Sequence, residues 1–335
     1  MRVGLIGVGR IGMVHAGTLA ALPEVEPLFI ADLDGRRAAV AAAGVGAVAA
    51  ASVTDLFAAR PDAVVVAAPT PEHDALIRAA VTAGIPVFCE KPIADEVAAA
   101  RRLVVDLARA RVPVQVGFQR RFDPGYQAIR EAVGAGKLGW LHTLRACTSD
   151  PAPPHAGYIP TSGGIFHDCG VHDYDAIRYV TGREVVDVYA TGSNRGARFF
   201  GEAGDVDTAA AVLTLDDGTL AVCTATRYNG AGYDVRLEVC GSAGTMVAGL
   251  DEHAPLPTAP PSPWPGGTPY PGFLARFSTA YEAEMRTFLA VAAGRVSNPC
   301  TPRDALRAMM IAEAATRSWR SGRRVAVAEV ERARR

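Results

Sequence analysis

Three segments of this 335-residue chain hold side chains whose types and spacing could do chemistry. The first is a glycine series, Gly7-x-Gly9-x-x-Gly12, entered directly from the apolar residues Val3, Leu5 and Ile6. Gly7 permits a tight turn out of a strand, Gly9 lets backbone approach phosphates, and Gly12 lets a helix pack closely on the strand. The following helix, entered through Arg10 and Ile11, aims N–H groups and its positive dipole end at the turn. Asp32 lies twenty residues beyond Gly12, at the end of the apolar run Pro27–Ala31. That offset suits a carboxylate accepting hydrogen bonds from the adenosine ribose of a dinucleotide. A carboxylate there repels a 2′-phosphate, which favours NAD over NADP, although Arg36 or Arg37 could hold such a phosphate.

The second segment is Cys89-Glu90-Lys91-Pro92, at the carboxyl end of an expected parallel strand. Ligands of open α/β sheets bind at that edge, so Lys91 reaches the cofactor crevice; a solvated surface lysine is the plain alternative. The third runs from Gly163 to Asp175 and contains His167, Asp168 and His172. If residues 165–180 are helical, Asp168 and His172 share a face, and a carboxylate beside an imidazole tunes it for proton transfer. An acidic helix start placed for dipole reasons explains the same residues equally well. Zinc fits poorly, because His167 and His172 splay apart and no third soft ligand is at hand, so no metal is expected. A further turn, Ala68-Pro69-Thr70-Pro71-Glu72-His73, puts Pro69, Thr70 and His73 beside the cofactor or simply starts a helix.

Elements must position these groups. Apolar runs at 2–6, 27–31, 63–67, 86–89 and 113–117 alternate with helical stretches at 11–21, 35–43, 54–58, 72–83 and 95–111. That alternation implies a doubly wound parallel sheet of the Rossmann type. Beyond about residue 123 come a helix at 124–134, a strand at 140–148, and a proline-rich loop followed by a helix ending near Gly182. Strands at 184–193, 207–215, 219–228, 232–240 and 244–250 follow, with Asp216-Asp217-Gly218 as a hairpin turn. They imply an α+β domain with a large, mostly antiparallel sheet. A Pro- and Gly-rich loop at 251–272 precedes helices at 273–293 and 302–320. The expected domains are 1–122, binding the dinucleotide, and 123–335, binding substrate and other subunits.

Composition narrows the partners. A net charge of −1 gives no reason to expect nucleic acid or an anionic membrane. No apolar stretch approaches spanning length, and the N-terminal one is interrupted by glycines rather than built as a secretory signal. The six cysteines are scattered without a C-x-x-C pair, which suits buried thiols in a reducing cytoplasm.

Taken together, Gly7-x-Gly9-Arg10-Ile11-Gly12, Asp32, Glu90-Lys91-Pro92 and Asp168-x-x-x-His172 resemble the glucose–fructose oxidoreductase and inositol dehydrogenase (Gfo/Idh/MocA) family over nearly the whole chain. Gly117–Asp123 and Gly164–Asp175 look more specifically like the bacterial inositol 2-dehydrogenase branch, with Gln119 where many members carry asparagine. The resemblance implies an NAD-dependent oxidation of a cyclitol ring hydroxyl, with myo-inositol to its 2-ketone as the leading expectation. It makes Lys91 the group that stabilises developing alkoxide and His172 the general base. Asp168 orients His172 or binds a neighbouring hydroxyl, while Asp150, Tyr233 and Tyr281 contact other hydroxyls. Glu90 positions Lys91, and with Gln119 lines the cofactor side; a cis bond before Pro92 and a homotetramer are also implied. Competing expectations are a pyranose or amino-sugar dehydrogenase, a glycosidase using tightly held NAD, and a non-catalytic NAD sensor.

Overall fold

A computed structural model describes residues 1–256 and 267–332. The chain divides into two compact units, one of Met1–Phe122 with Thr279–Leu306 and one of Asp123–Ser278 with Arg307–Arg335.

In the first unit the apolar runs become short buried strands joined by helices. They run β1 (Val3–Ile6), α1 (Arg10–Ala21), β2 (Leu28–Ala31), α2 (Gly35–Val45), β3 (Val48–Ala49), α3 (Val53–Ala58) and β4 (Ala63–Val66). Then come α4 (His73–Thr82), β5 (Val87–Glu90), α5 (Val97–Leu107) and β6 (Val114–Gly117). The sheet order is β3-β2-β1-β4-β5-β6, with every pairing parallel. Strand order therefore reverses at β1 and β4, and the crevice beyond their carboxyl ends is where such sheets bind ligands. β1 and β4 are buried on both faces, which is why they read as continuous apolar runs. The strand β3 was not expected; two residues are too few to show a period, and pairing with Phe29 and Ile30 creates it.

The second unit opens with α6 (Pro124–Gly134), β7 (Leu141–Ser149), α7 (Val171–Thr181), β8 (Val185–Ser193), α8 (Phe199–Glu202), β9 (Thr208–Leu215) and β10 (Leu220–Thr226). It continues through β11 (Asp234–Gly241), β12 (Gly244–Ala248) and α9 (Phe273–Arg276). The chain ends with α10 (Ser278–Ala292), α11 (Pro302–Ser321), β13 (Val325–Ala326) and α12 (Val327–Arg332). The seven-stranded sheet has the order β12-β11-β7-β10-β9-β8-β13. Among the described residues only β7 and β10 pair in parallel in this sheet; the other pairings are antiparallel. The Asp216-Asp217-Gly218 turn joins β9 to β10, with Gly218 at φ 87°. Strand alternation buries Leu144, Val188, Leu213 and Cys223 on one face. On the other face Tyr189, Val212 and Val222, neighbours in one cross-strand row, remain 37–48% exposed.

Two expectations change here. The span 123–335 is not one unit, because Thr279–Leu306 groups with the first 122 residues. Met285, Phe288 and Leu289 of α10 share a core with Val3, Leu5, Ile30 and Phe88. An amphipathic helix shows that it has an apolar stripe but not which sheet it covers. The helix expected over 273–293 is broken at Phe277 into α9 and α10. Of the loop expected over 251–272, residues 257–266 lie outside the described residues.

Candidate active site

The glycine series forms the turn from β1 to α1. Gly7 has φ 95°, and a Cβ there would lie 2.6 Å from Ala67 O and Ala68 N. At Gly12 a Cβ would come within 2.1 Å of Gly7 O, so helix and turn can meet only without one. Gly9, in contrast, faces open space, with nothing within 4 Å of a Cβ placed there. It is also the N-cap of α1 and provides no side-chain cap to the first-turn amides. An open cradle at a helix start with uncapped amides fits a dinucleotide pyrophosphate.

Asp32 binds the cradle itself. Its Oδ2 accepts from Val8 N at 2.8 Å and its Oδ1 from Asp34 N at 3.0 Å. Asp34 in turn caps α2 by accepting from Arg36 N and Arg37 N. The Arg37 guanidinium donates to Val8 O at 3.1 Å, so it braces the glycine turn. A carboxylate held beside the glycine turn at the end of β2 is the arrangement expected to favour NAD over a cofactor bearing a 2′-phosphate.

At the end of β5, Glu90 Oε1 lies 2.6 Å from His15 Nε2 and Oε2 accepts from Lys91 N at 3.3 Å. The Lys91–Pro92 bond is cis. Pro69 and Thr70 lead into a single 3₁₀ turn ahead of α4. His73 departs from expectation: its ring nitrogens each lie 2.8 Å from a carbonyl oxygen, of Pro92 and of Ala68. It is buried and ties two loops together rather than turning a ring nitrogen to a cofactor. Gln119 is also buried, in a 3₁₀ turn after β6. Tyr281 lies on the buried stripe of α10, its ring edge-on to His15 at 6.0 Å.

In the second unit Gly163 and Gly164, both at positive φ, lead into the segment carrying Asp168 and His172. The continuous α-helix expected over 165–180 is instead a π-helical turn, Phe166–Gly170, running into α7. Such turns close hydrogen bonds one residue later than an α-turn and recur at functional positions. Asp168 sits in the π turn and His172 in the first turn of α7. His167 points elsewhere, its Nε2 3.6 Å from Glu313 Oε2, and the nearby imidazole, with Arg317, holds the Glu313 carboxyl below its ordinary range. Among the described residues no cluster of three or more His, Cys, Asp or Glu side chains could hold a metal ion.

The polar residues of this unit converge on a side chain that no motif had pointed to. Arg227, just after β10, places Nη2 2.7 Å from Asp168 Oδ2 and Nη1 3.0 Å from Asp150 Oδ2. Tyr158 Oη donates to Asp168 Oδ1 at 2.9 Å. Burial works against the Arg227 charge but is outweighed by Cys169, Asp168 and Asp150, so its pKa is raised. Burial, then the Asp168 charge, pushes the Tyr158 phenol well up, so it remains a donor. Tyr233 is buried just before β11. Arg227 and Tyr158 escaped sequence reasoning because an isolated Arg after a strand and a Tyr in a loop have no spacing to read. His15, three residues after Gly12, could have been found as a polar residue on the buried face of α1.

Two family models match successive parts of the chain. Residues 1–118 match the oxidoreductase family with an NAD-binding Rossmann fold, and residues 126–247 match the GFO/IDH/MocA C-terminal domain. The chain belongs to the Gfo/Idh/MocA family. It is an NAD-dependent dehydrogenase. Among the similar proteins is myo-inositol dehydrogenase Hyg17 of Streptomyces leeuwenhoekii, 40% identical, covering 96% of this chain and 98% of that one. The myo-inositol 2-dehydrogenase of Thermotoga maritima is 35% identical, covering 98% and 99%. A crystal structure of scyllo-inositol dehydrogenase from Lactobacillus casei, with bound NAD(H) and scyllo-inositol, matches with a TM-score of 0.88. It is 30% identical, covering 98% of this chain and 99% of that one.

Proposed function

We propose that this dehydrogenase oxidises a ring hydroxyl of a cyclitol to a ketone, with myo-inositol to 2-keto-myo-inositol as the leading substrate. The observation that carries it is the pair of carboxylates, Asp150 and Asp168, gathered on one guanidinium beside the helix that bears His172. Carboxylates accept hydrogen bonds from hydroxyls, and a ring bearing a hydroxyl on every carbon presents several at once. The inositol-acting relatives support the same substrate class.

NAD, held by the Gly7–Gly12 cradle and Asp32, supplies the hydride acceptor when bound. His172 is assigned as the base that takes the hydroxyl proton, and Lys91 as the cation that stabilises the oxygen as negative charge develops. Asp168, Asp150 and Tyr233 hold other hydroxyls, and Glu90 fixes the backbone amide of Lys91. A second copy of the chain is the proposed cover for the apolar row Tyr189, Val212 and Val222, within a homotetramer. Cysteines held as thiols fit the proposed cytoplasmic location.

Following NADH absorbance with a panel of inositols, pyranoses and amino sugars tests the substrate. Turnover of pyranoses alone overturns the cyclitol assignment. Turnover without free NADH points to the redox glycosidase instead.

A further inference from the structure

Resting on the polyol reading above, we infer that Arg227 is a positioning residue. Its guanidinium holds Asp150 and Asp168 at the spacing from which they accept hydrogen bonds from two separate hydroxyls of one polyol.

The sheet supplies the reason these groups meet. β7 and β10 pair in parallel, with Ser149 opposite Thr226, so the residues that follow them leave from the same edge. Those residues are Asp150 and Arg227; in an antiparallel pair they would leave from opposite ends. Their backbones are pinned as well. Asp150 N donates to Thr226 O at 2.9 Å, Asn229 N to Asp150 O at 2.8 Å, and Arg227 N to Asp207 O at 2.8 Å. The π turn then brings Asp168 to the second Nη of the same guanidinium.

Burial orders the three charges. The Arg227 side chain is 4% exposed, whereas Asp168 is 14% and Asp150 24% exposed. The cation is therefore the foundation, and the two carboxylates are the members that reach outward. One guanidinium against two carboxylates leaves the cluster a net acceptor, which matches hydroxyl donors and not an anionic substrate. Guanidinium geometry matters here: its planar fork addresses two carboxylates at once in fixed directions, whereas an ammonium is a point charge on a flexible stem.

The test uses Arg227→Lys and Asp150→Asn in the full-length protein saturated with NAD, with circular dichroism as the check on folding. Binding of myo-inositol and of its single-deoxy analogues is measured by calorimetry, alongside KM and kcat. With Arg227→Lys, affinity for myo-inositol is expected to fall about tenfold or more, with NAD affinity unchanged and kcat less affected than KM. For the analogue lacking a hydroxyl that Asp150 or Asp168 receives, the same substitution should cost much less, because that contact is already lost. Asp150→Asn should show the same non-additivity with one analogue only. Unchanged affinity in Arg227→Lys, or an equal penalty for every analogue, overturns the positioning role while leaving the cyclitol reading intact. A wild-type protein that binds no polyol overturns both.

Discussion

His15 Nε2 and Glu90 Oε1 lie 2.6 Å apart, linking the helix of the glycine turn to the end of the strand that leads into Lys91. His15 is fully buried, with Phe88 and Tyr281 edge-on to its ring at 5.4 and 6.0 Å. The same Glu90 carboxylate accepts from Lys91 N, so one acid joins the dinucleotide turn to the backbone of Lys91.

Removing that acid leaves a buried ring nitrogen without its acceptor. Glu90→Ala should cost about 3 kcal/mol of stability, the usual scale for breaking a buried pair on one side. Glu90→Gln, which keeps an acceptor oxygen, should cost less than half of that. Urea unfolding of the three proteins measures it, and equal midpoints for Ala and wild type would remove the structural role.

Glu284 makes a pH prediction. This residue of α10 is fully buried, and among the described residues neither carboxyl oxygen has a hydrogen-bond partner. Burial, and then the charge of Glu90, raises its pKa well above the carboxylate range, so the folded protein keeps the proton. The unfolded chain releases it near the ordinary carboxylate value, so above that value the unfolded state binds fewer protons. Glu284 therefore withdraws stability as pH rises from about 4.3 towards the raised folded value, at up to about 1.4 kcal/mol per pH unit. Below the unfolded value its contribution levels off. Glu284→Gln should equal wild type near pH 4 and exceed it at pH 7. Parallel stability curves of the two proteins across that window would show that Glu284 is ionised.

Asp32 should govern cofactor choice. Asp32→Ser removes the charge that repels a 2′-phosphate and loosens the hydrogen bonds to Val8 and Asp34. NAD affinity should fall and NADP affinity rise, moving their ratio by about a hundredfold, or about 3 kcal/mol. Fluorescence titration of both cofactors provides the ratio, and an unaltered preference would remove Asp32 from the discrimination.

His172→Ala should cut turnover about a hundredfold or more while NAD still binds. Full activity in the variant would transfer the base role to another residue.

The exposed row on the seven-stranded sheet offers an assembly test. Val222→Glu places a charge amid Tyr189 and Val212 and should dissociate the proposed tetramer at micromolar concentration. Light scattering reads the mass; a wild-type monomer would remove the proposal outright.

Much of this protein is legible in its sequence because the informative signals are local. The Gly7–Gly12 series, Asp32, Glu90-Lys91 and the parallel strand pattern are set by backbone geometry and two-sided burial over a few residues. Local patterns say nothing about which distant segments meet. α10 joins the first unit, a π turn replaces the first turn of the Asp168 helix, and His73 spends its ring on two carbonyls. Arg227 gains its meaning only when the parallel pairing of β7 with β10 sets it beside Asp150. The dinucleotide cradle was thus determined by the sequence itself. The charge arrangement around Asp168 was decided by tertiary structure, because a buried guanidinium is stable only where folding has gathered its carboxylates.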